Sequence, residues 1–264
     1  MKVQQIYTGS NLRNFSYLIE RDGAQNNKEF ICIDPFDADQ ILSLLGQQKG
    51  VLTAIINTHE HWDHIQGNEK LVAATGAEIW AHENAKGKIP AINRFLSKAD
   101  KVPLQDNCYL EVLDTPGHTF AHLCLLLIKD QRPQAVFSGD TFFNAGVGNC
   151  YSGDAEILYE TIRRQFASLP DEVLVYPGHE YYTNNLQFTL HLEPSNKNAK
   201  DLLEKINCLA SLKKGESYYI NNMHSEREVN TFLRPTSPEI LRNLNFPKSE
   251  KAVFLELRHL RNDW

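Results

Sequence analysis

Residues 58–64, Thr58-His59-Glu60-His61-Trp62-Asp63-His64, place three imidazoles and a carboxylate suited to metal within seven positions. Side chains two positions apart on an extended segment share a face, so His59 and His61 point the same way. Asp63 and His64 follow where the chain leaves the strand. Imidazole nitrogen and carboxylate oxygen suit zinc, iron or manganese. The stretch therefore predicts two neighbouring metal positions, and surface histidines beside a turn are the weaker alternative.

The composition is that of a soluble globular protein, with 264 residues, 42% of them hydrophobic, enough for one large domain or for a medium and a small one. A net charge of -6 and a pI near 5.9 disfavour nucleic acid or an anionic membrane as partners. No apolar run approaches the roughly 20 residues that span a bilayer, and the first residues show no signal-peptide pattern. Five cysteines without a CxxC pair fit a reducing compartment. We therefore expect a cytoplasmic protein, with a monomer as the simplest oligomeric state.

Strand patterns dominate up to about residue 183, and helical patterns follow. The predicted strands are 3–7, 15–19, 30–33, 52–56, 78–81, 109–113, 123–128, 135–137 and 173–176. The predicted helices are one after residue 37, then 68–75, 155–169, 185–192, 200–212, 225–233, 238–244 and 248–262. Residues 84–107 give no clear pattern. Strands first and helices last predict an α+β fold, a β-rich body followed by a helical unit.

Three further predicted strands end in a polar residue beside glycine. They are followed by Thr-Pro-Gly-His at 115–118, Ser-Gly-Asp at 138–140 and Pro-Gly-His at 177–179. Each alone is more often a turn residue than a ligand. Together with residues 59–64 they supply seven donors at what we expect to be one edge of a sheet. Seven donors suit two metal ions with a bridging carboxylate, about 3.5–4 Å apart.

These motifs resemble those of the metallo-β-lactamase superfamily, and within it those of the hydroxyacylglutathione hydrolases, also called glyoxalase II. The resemblance extends over almost the whole chain. It is carried by THEHWDHIQGNEKL (58–71), LDTPGHT (113–119), SGDTFFNAG (138–146), YPGHEY and NNLQF (176–188), REVNTFLR (227–234) and LRHLRNDW (257–264). It implies an αββα sandwich over residues 1–180, the catalytic domain, and a helical substrate-binding domain over residues 181–264.

The resemblance also implies a ligand set and a reaction. The implied ligands are His59, His61 and His118 for one divalent ion, Asp63, His64 and His179 for a second, and Asp140 for both. Of these, Asp63, His64 and Asp140 are also assigned to catalysis. The implied reaction is hydrolysis of S-D-lactoylglutathione to D-lactate and glutathione, in methylglyoxal detoxification. A metal ion lowers the pKa of bound water from about 15.7 to about 7, so no side-chain nucleophile is required. The sequence has neither GxSxG nor a papain-like cysteine context.

A further set of residues is implied to bind the glutathione part of the substrate. These residues are Asn149, Tyr151, Tyr181, Asn185, Arg258 and Arg261. Two arginines three apart on a helix suit a peptide carboxylate. Spacing alone favours a solvated basic helix end instead, and the family resemblance reverses that preference. One departure stands out: where the family carries Gly-Cys-Gly and a basic residue, residues 146–149 read Gly-Val-Gly-Asn. The missing cation predicts a weakened or altered preference for glutathione thioesters.

Five alternatives remain open at the level of sequence. Four are other reactions of the same fold: hydrolysis of a different thioester, persulfide dioxygenation at a single iron, β-lactam hydrolysis and nuclease activity. The fifth is a metal-binding protein without turnover. Asp34, at a strand end, is expected to orient a ligand histidine. The remaining histidines are not expected to take part in catalysis: His82, His122, His191, His224 and His259. Of these, His82 and His122 are candidates to support the site.

Overall fold

The structure is a computed structural model that describes residues 2–23, 28–212 and 218–264. Its first sheet has six strands whose order in space follows the chain: β1 (Val3–Tyr7), β2 (Phe15–Asp22), β3 (Lys28–Ile33), β4 (Val51–Asn57), β5 (Glu78–His82) and β6 (Ile92–Leu96). The first three strands are antiparallel, and β3 to β6 are parallel. Parallel strands need crossover connections. Those between β3 and β5 contain α-helices, and the short one between β5 and β6 contains a 3-10 turn (Glu83–Ala85).

Three helices lie between β3 and β5: α1 (Ala38–Gln48), α2 (Trp62–Ile65) and α3 (Asn68–Thr75). Asp37 caps the N-terminus of α1, because its carboxylate accepts hydrogen bonds from the backbone N–H groups of Asp39 and Gln40. The four-residue α2 directly follows His61 and carries two of the predicted metal ligands. The connection between β4 and α3 therefore contains the whole of the histidine-rich stretch.

The second sheet is mixed and also has six strands. These are β7 (Lys101–Gln105), β8 (Cys108–Asp114), β9 (Leu123–Lys129), β10 (Arg132–Gly139), β13 (Leu174–Pro177) and β14 (Asn221–Asn222). Their order is β14-β13-β10-β9-β8-β7, and only β10 and β13 run parallel. A two-stranded hairpin, β11 (Phe142–Phe143) and β12 (Gly146–Val147), stands apart from both sheets.

The remaining helices pack outside the second sheet or against each other. They are α4 (Ala155–Thr161), α5 (Tyr182–Leu192), α6 (Lys197–Leu212), α7 (Met223–Val229), α8 (Pro238–Asn243) and α9 (Glu250–Asn262). A π-helical turn (Ile162–Phe166) extends α4, and a 3-10 turn (Thr231–Leu233) follows α7. Within the described ranges, no helix combines the length and apolar character that crossing a membrane requires.

The core is arranged in layers that confirm the predicted α+β sandwich. Ile31 and Ile56 of the first sheet pack with Leu125 and Phe137 of the second. The other face of the first sheet packs on α1 and α3 through residues such as Ile41. The other face of the second sheet packs on α4 and on the C-terminal helices, so the layers run αββα.

Several sequence predictions need correction in their details. The β pattern does not stop at residue 183, because β14 pairs with β13 at the edge of the second sheet. Two asparagines carry little intrinsic strand preference, so only tertiary pairing defines this strand. The predicted helix 225–233 breaks at Asn230, whose side-chain oxygen accepts a hydrogen bond from Phe232 N. The ambiguous segment 84–107 contains β6 and β7, and the predicted helix 155–169 ends in the π-helical turn.

The predicted division at residue 180 stays a prediction, and the two units share a core. Phe188 and Phe254, from the C-terminal helices, belong to the same buried cluster as Val136 and Val175 of the second sheet. The C-terminal helices therefore cover the outer face of that sheet.

Glu226, on α7, makes a second connection between the two units. Its buried carboxylate accepts hydrogen bonds from Asn221, Asn230 and the backbone N–H of Ala145 in the hairpin turn. Burial raises the pKa of Glu226 to about 7, and the hydrogen bonds from Asn230, Asn221 and Ala145 offset only part of that rise. Within the described residues, no cation pairs with this carboxylate.

Glu226 therefore gives stability a defined pH dependence. Its folded pKa of about 7 exceeds the reference value of 4.5. The protonated form adds stability that is complete below about pH 4.5 and is lost as the pH rises through about 7, by about 3 kcal/mol. We expect the unfolding free energy of wild type minus that of Glu226→Gln to fall by this order between pH 4.5 and 8.

Chemical denaturation at a series of pH values measures this difference, in which the titrations common to both proteins cancel. Glu228→Gln, which removes a half-exposed carboxylate from the same helix, is the control and should give a flat difference. A flat difference for Glu226→Gln as well contradicts the assignment.

Candidate metal centre and adjoining cavity

The predicted metal donors converge at one end of the two sheets. His59 and His61 follow the C-terminus of β4, and α2 carries Asp63 and His64. Asp140 follows β10 and His179 follows β13, and these strands are parallel and paired there, Gly139 with Pro177. The ends of parallel neighbours meet at one sheet edge, so these two ligands lie side by side. His118 comes from the loop after β8.

The donor atoms form two groups whose spacing fits metal coordination. In the first group, His61 Nδ1 is 3.0 Å from His59 Nε2 and 3.0 Å from His118 Nε2. In the second, His64 Nε2 and His179 Nε2 are 3.2 Å apart. Asp63 Oδ2 is 3.5 Å from the first of these nitrogens and 3.4 Å from the second. Donors about 2.1 Å from a tetrahedral ion are about 3.4 Å from one another.

Asp140 lies between the two groups. Its Oδ2 atom is 3.6 Å from His118 Nε2 and 3.1 Å from His179 Nε2, and its Oδ1 atom is 3.4 Å from His64 Nε2. Oδ1 is buried and accepts no hydrogen bond from the described residues. A buried carboxylate oxygen without a hydrogen bond is costly unless a cation binds it. This orphaned oxygen is the clearest sign that the donors fit metal ions.

Hydrogen bonds on the far side of each imidazole fix the ring orientation. His118 Nδ1 donates to Asn149 O over 2.7 Å, and His179 Nδ1 donates to Leu12 O over 2.8 Å. A carbonyl oxygen only accepts, so Nδ1 carries the proton and Nε2 of the neutral ring keeps its lone pair. Ser152 Oγ lies 3.0 Å from His61 Nε2 and holds that ring in the opposite orientation.

Asp34 holds the two other imidazoles, His64 directly and His59 through Thr58. Its carboxylate lies 2.9 Å from His64 Nδ1 and accepts a 2.6 Å hydrogen bond from the Thr58 hydroxyl, which in turn lies 3.0 Å from His59 Nδ1. Asp34 Oδ1 also accepts the backbone N–H of Thr58. Asp34 lies near His59 and His64 in a third possible ligand group. Because its oxygens are already engaged, Asp34 orients histidines, as expected from the sequence.

Electrostatics in the cluster favour positive charge beside Asp140. Burial lowers the pKa of His59 and of His118, which favours the neutral imidazole that binds metal. Burial also opposes charge on His64, but the Asp140 and Asp34 carboxylates outweigh it and raise the pKa of His64 well above its usual value. Burial likewise opposes charge on Asp140, but His179 and His64 hold its pKa well below the usual range. A divalent ion supplies this positive charge while leaving every imidazole neutral.

The other histidines lie outside the donor groups. The ring of His122 stacks on that of His59, with 5.0 Å between centroids, and accepts a hydrogen bond from the backbone N–H of Asp140. His122 therefore supports the positions of these two donors. His82 Nε2 lies 3.2 Å from Asp114 Oδ1 instead. His224 is on the surface, near Asp171.

A cavity of about 230 Å³ lies next to the metal donors, and all six residues predicted to bind substrate line it. The connection runs through Tyr181, whose ring stacks 4.9 Å from that of His179. The lining residues are Arg13, Phe143, Val147, Asn149, Tyr151, Tyr181, Asn184, Asn185, Arg258, Arg261 and Asn262. Among these described residues, three are arginines and none is acidic.

Arg258 and Arg261 are partly engaged with the protein itself. Arg258 Nη1 donates to Val147 O and Gly148 O, 2.9 Å each, and Arg258 Nε is buried without a partner among the described residues. Burial lowers the pKa of Arg258 to about 10. Arg261 donates to Asn185 Oδ1 over 3.1 Å, and Asn185 Nδ2 donates to Asn144 O. These residues both line the cavity and hold the loop after β11.

The sequence reasoning missed the segment Leu12–Asn14, which contacts the donors and the cavity. Leu12 O accepts the hydrogen bond from His179, and Asn14 Nδ2 donates to Asp63 Oδ2 over 2.8 Å. Arg13 lines the cavity. These residues lie in a turn before β2, more than forty positions from the histidine stretch. The only sequence signal was a polar turn in front of a strand.

Comparison with known proteins places this architecture among related chains. Residues 12–94 match the family model of the metallo-beta-lactamase superfamily, and residues 180–264 match that of the hydroxyacylglutathione hydrolase C-terminus. The chain is 42% identical, over the full length of both, to a hydroxyacylglutathione hydrolase of Polaromonas sp., and 41% identical to one of Nitrosococcus oceani. It is 30% identical to a cytoplasmic hydroxyacylglutathione hydrolase of Arabidopsis thaliana, covering 95% of each chain.

Solved structures agree with these sequence relatives. ETHE1 from Myxococcus xanthus matches 99% of this chain and 98% of its own, with a TM-score of 0.65 and 26% identity. TTHA1623 in a di-iron-bound form matches 67% of this chain and 92% of its own, with a TM-score of 0.54 and 27% identity.

Gly178 supplies a test of the donor geometry. A Cβ at this position would lie 2.2 Å from Asp140 Oδ1 and 2.9 Å from His64 Cε1. Gly178→Ala should therefore displace the carboxylate and reduce bound metal by at least about tenfold at limiting metal concentration. Elemental analysis of protein purified at fixed metal supply measures this. Gly46→Ala, where nothing lies within 4 Å of the added carbon, is the matched control and should keep its metal. Full metal content in Gly178→Ala contradicts the placement of Asp140.

Proposed function

This chain belongs to the hydroxyacylglutathione hydrolase family of the metallo-β-lactamase superfamily, and we propose that it hydrolyses S-D-lactoylglutathione to D-lactate and glutathione. Membership of this family makes it a thioester hydrolase. The observation that carries the substrate proposal is the position of the cationic cavity. It lies next to the metal donors, because Tyr181 both lines the cavity and stacks on the ring of His179. A thioester carbonyl at the donors then leaves an anionic peptide-like group in a cavity lined by arginines.

The proposed ligands follow the two donor groups. His59, His61 and His118 hold one divalent ion, and Asp63, His64 and His179 hold the other. Asp140, which lies between the two groups, would be a ligand of both ions. The di-iron form of TTHA1623 supports two ions per chain. Zinc is the proposed metal, and iron and manganese suit the same donors.

When bound, the two ions make hydroxide available at neutral pH and act as Lewis acids toward the thioester carbonyl and the leaving sulfur. The chain's own residues fix where this happens. Asn14 Nδ2 holds Asp63 in place, and Asp34 and the Asn149 carbonyl hold His64 and His118. Asp63, His64 and Asp140, which would be ligands of the ions that activate water, are the proposed catalytic residues.

The cavity positions the rest of the substrate. Tyr151, with a largely exposed side chain, and Tyr181, beside His179, form the sides of the path from the donors to the arginines. Arg258 and Arg261 offer cationic donors to a substrate carboxylate from α9, and Asn185 fixes the position of Arg261. Because His118 Nδ1 donates to Asn149 O, substrate contacts at residue 149 are linked directly to a metal ligand.

The same site supports narrower proposals on partners and location. We propose a monomer that acts on small glutathione thioesters in the cytoplasm and binds neither nucleic acid nor membranes. A net charge of -6 supports the absence of nucleic acid, and the cytoplasmic relative from Arabidopsis thaliana supports the location.

A substrate panel on metal-replete and chelated protein tests the reaction. We expect two metal ions per chain and hydrolysis of S-D-lactoylglutathione at least tenfold more efficient, by kcat/KM, than that of the lactoyl thioester of N-acetylcysteamine. Exhaustive chelation should lower the rate to below about 1%, and added zinc, iron or manganese should restore it.

The panel also separates the alternatives. One iron per chain with oxygen uptake on glutathione persulfide would select a dioxygenase, and β-lactam turnover would select a lactamase. Bound metal without turnover of any substrate would select a binding protein. Full activity after chelation would end the metal-dependent proposal.

Asn149 gives a prediction about affinity. Its side chain lines the cavity, where the family carries a cation. Asn149→Arg should lower KM for lactoylglutathione about three- to tenfold, because a partly exposed charge-assisted hydrogen bond is added. Asn149→Gln adds length without charge and should leave KM unchanged. An unchanged KM in Asn149→Arg would refute a role for charge at this position.

A further inference from the structure

Arg13 is the one arginine of the cavity that is not on α9. Its main chain is fixed to the metal donors on both sides, since Leu12 O accepts from His179 and Asn14 Nδ2 donates to Asp63. Its carbonyl oxygen accepts a 2.9 Å hydrogen bond from Glu180 N, and its backbone is in the left-handed region, with a φ angle of 60°. The origin of this side chain is therefore held rigidly beside the centre.

The guanidinium of Arg13 lies along the edge of the cavity. It is 5.1 Å from the centre of the Tyr181 ring, and Tyr181 is the residue that joins the cavity to His179. The side chain is 41% exposed, and its nearest carboxylate, Glu180 Oε2, is 3.8 Å from Nη1. Burial is the main cause of the lowered pKa of Arg261, and Tyr181 and Tyr151 oppose it. Repulsion from the charge of Arg13 makes a smaller contribution in the same direction as burial. Arg13 and Arg261 therefore face one shared volume.

Arg13 differs from the α9 arginines in the hydrogen bonds it still has to offer. Arg258 and Arg261 donate to backbone carbonyls and to Asn185. Within the described residues, the guanidinium of Arg13 contacts the Tyr181 ring and pairs with Glu180 over 3.8 Å, a distance too long for a hydrogen bond. A cation at a cavity edge with unused donors is placed to bind a carboxylate from the ligand.

The ion pair between Arg13 and Glu180 indicates which chemical group of a ligand Arg13 would bind. The Glu180 side chain is 17% exposed, and it places a carboxylate next to the guanidinium of Arg13. An α-amino acid head group carries an ammonium and a carboxylate next to each other. Glutathione has one such group, on its γ-glutamyl residue, and a separate glycine carboxylate. Arg258 and Arg261 suffice for the glycine end.

We propose that Arg13 is a specificity-determining residue that binds the γ-glutamyl carboxylate of the thioester substrate and supplies the cavity with a cation in place of the one missing at Asn149. This proposal rests on the proposed glutathione thioester hydrolysis. Arg13 acts on binding and not on the bond being broken, so its removal should raise KM and leave kcat unchanged.

Steady-state kinetics of Arg13→Gln on S-D-lactoylglutathione test the proposal. We expect KM to rise about five- to twentyfold, with kcat within twofold of wild type and two metal ions still bound. Retained metal shows that Leu12 and Asn14 still hold their ligands. Arg13→Lys, which keeps the charge without the planar fork, should give an intermediate KM. Arg163→Gln removes an equal charge from an exposed position in the π-helical turn after α4 and should leave KM unchanged, which excludes a long-range effect of net charge.

Two truncated thioesters identify the carboxylate. S-D-lactoyl-N-acetylcysteinylglycine lacks the γ-glutamyl head, and its acetyl group prevents transfer of the acyl group from sulfur to the amine. Wild type and Arg13→Gln should have equal KM on this substrate. The lactoyl thioester of γ-glutamylcysteine lacks glycine, and on it the five- to twentyfold difference should persist. The reverse pattern would overturn the assignment to the γ-glutamyl end.

A double variant tests the replacement of one cation by another. Adding Asn149→Lys to Arg13→Gln should recover at least half of the lost affinity for lactoylglutathione. An unchanged KM in Arg13→Gln, while the wild type hydrolyses lactoylglutathione, overturns the role of Arg13 and leaves the proposed function intact. A wild type that hydrolyses none of the glutathione thioesters overturns the proposed function itself.

Discussion

The geometry of the metal centre depends on the hydrogen bonds of those imidazole nitrogens that face away from it. Each imidazole has one nitrogen aimed at the cluster and the other held by a fixed partner: Leu12 O, Asn149 O, Asp34, Thr58 or Ser152. These partners come from segments far apart in the chain, and two of them are backbone carbonyls. The geometry of the centre is thus a property of the whole sandwich. A change in a remote turn that moves one carbonyl changes which way a ligand ring points.

The same contacts connect metal binding to the cavity. Asn149 supports His118 through its backbone and lines the cavity through its side chain. Arg258 donates to the two residues just before Asn149, and Glu226 anchors the turn before them. The loop between β10 and α4 is therefore held on one side by the donors and on the other by the C-terminal helices. Binding of substrate and coordination of metal share this loop.

Sequence predicted the parts of this arrangement that local pattern encodes. Buried strands such as β4 and β9 are continuous apolar runs, and the donors follow strand ends in Gly/Pro contexts, so the sheets and the convergence of donors were accessible. The family resemblance then supplied the cavity residues. Contacts that depend on tertiary placement were not accessible. Arg13 and Asn14 look like ordinary turn residues, β14 is two asparagines, and Glu226 looks like a solvent-facing position of a short helix. Each acquires its role only from neighbours distant in sequence.

The placement of β14 and Glu226 has a consequence for the order of events during synthesis. All of the proposed ligands precede residue 180, whereas the strand that completes the second sheet and the carboxylate that anchors the hairpin turn come after residue 220. A nascent chain therefore exposes its complete donor set while the loop beside it still lacks its anchor. Premature ion capture and edge-to-edge association are the hazards of that interval, and both end when the last helices leave the ribosome.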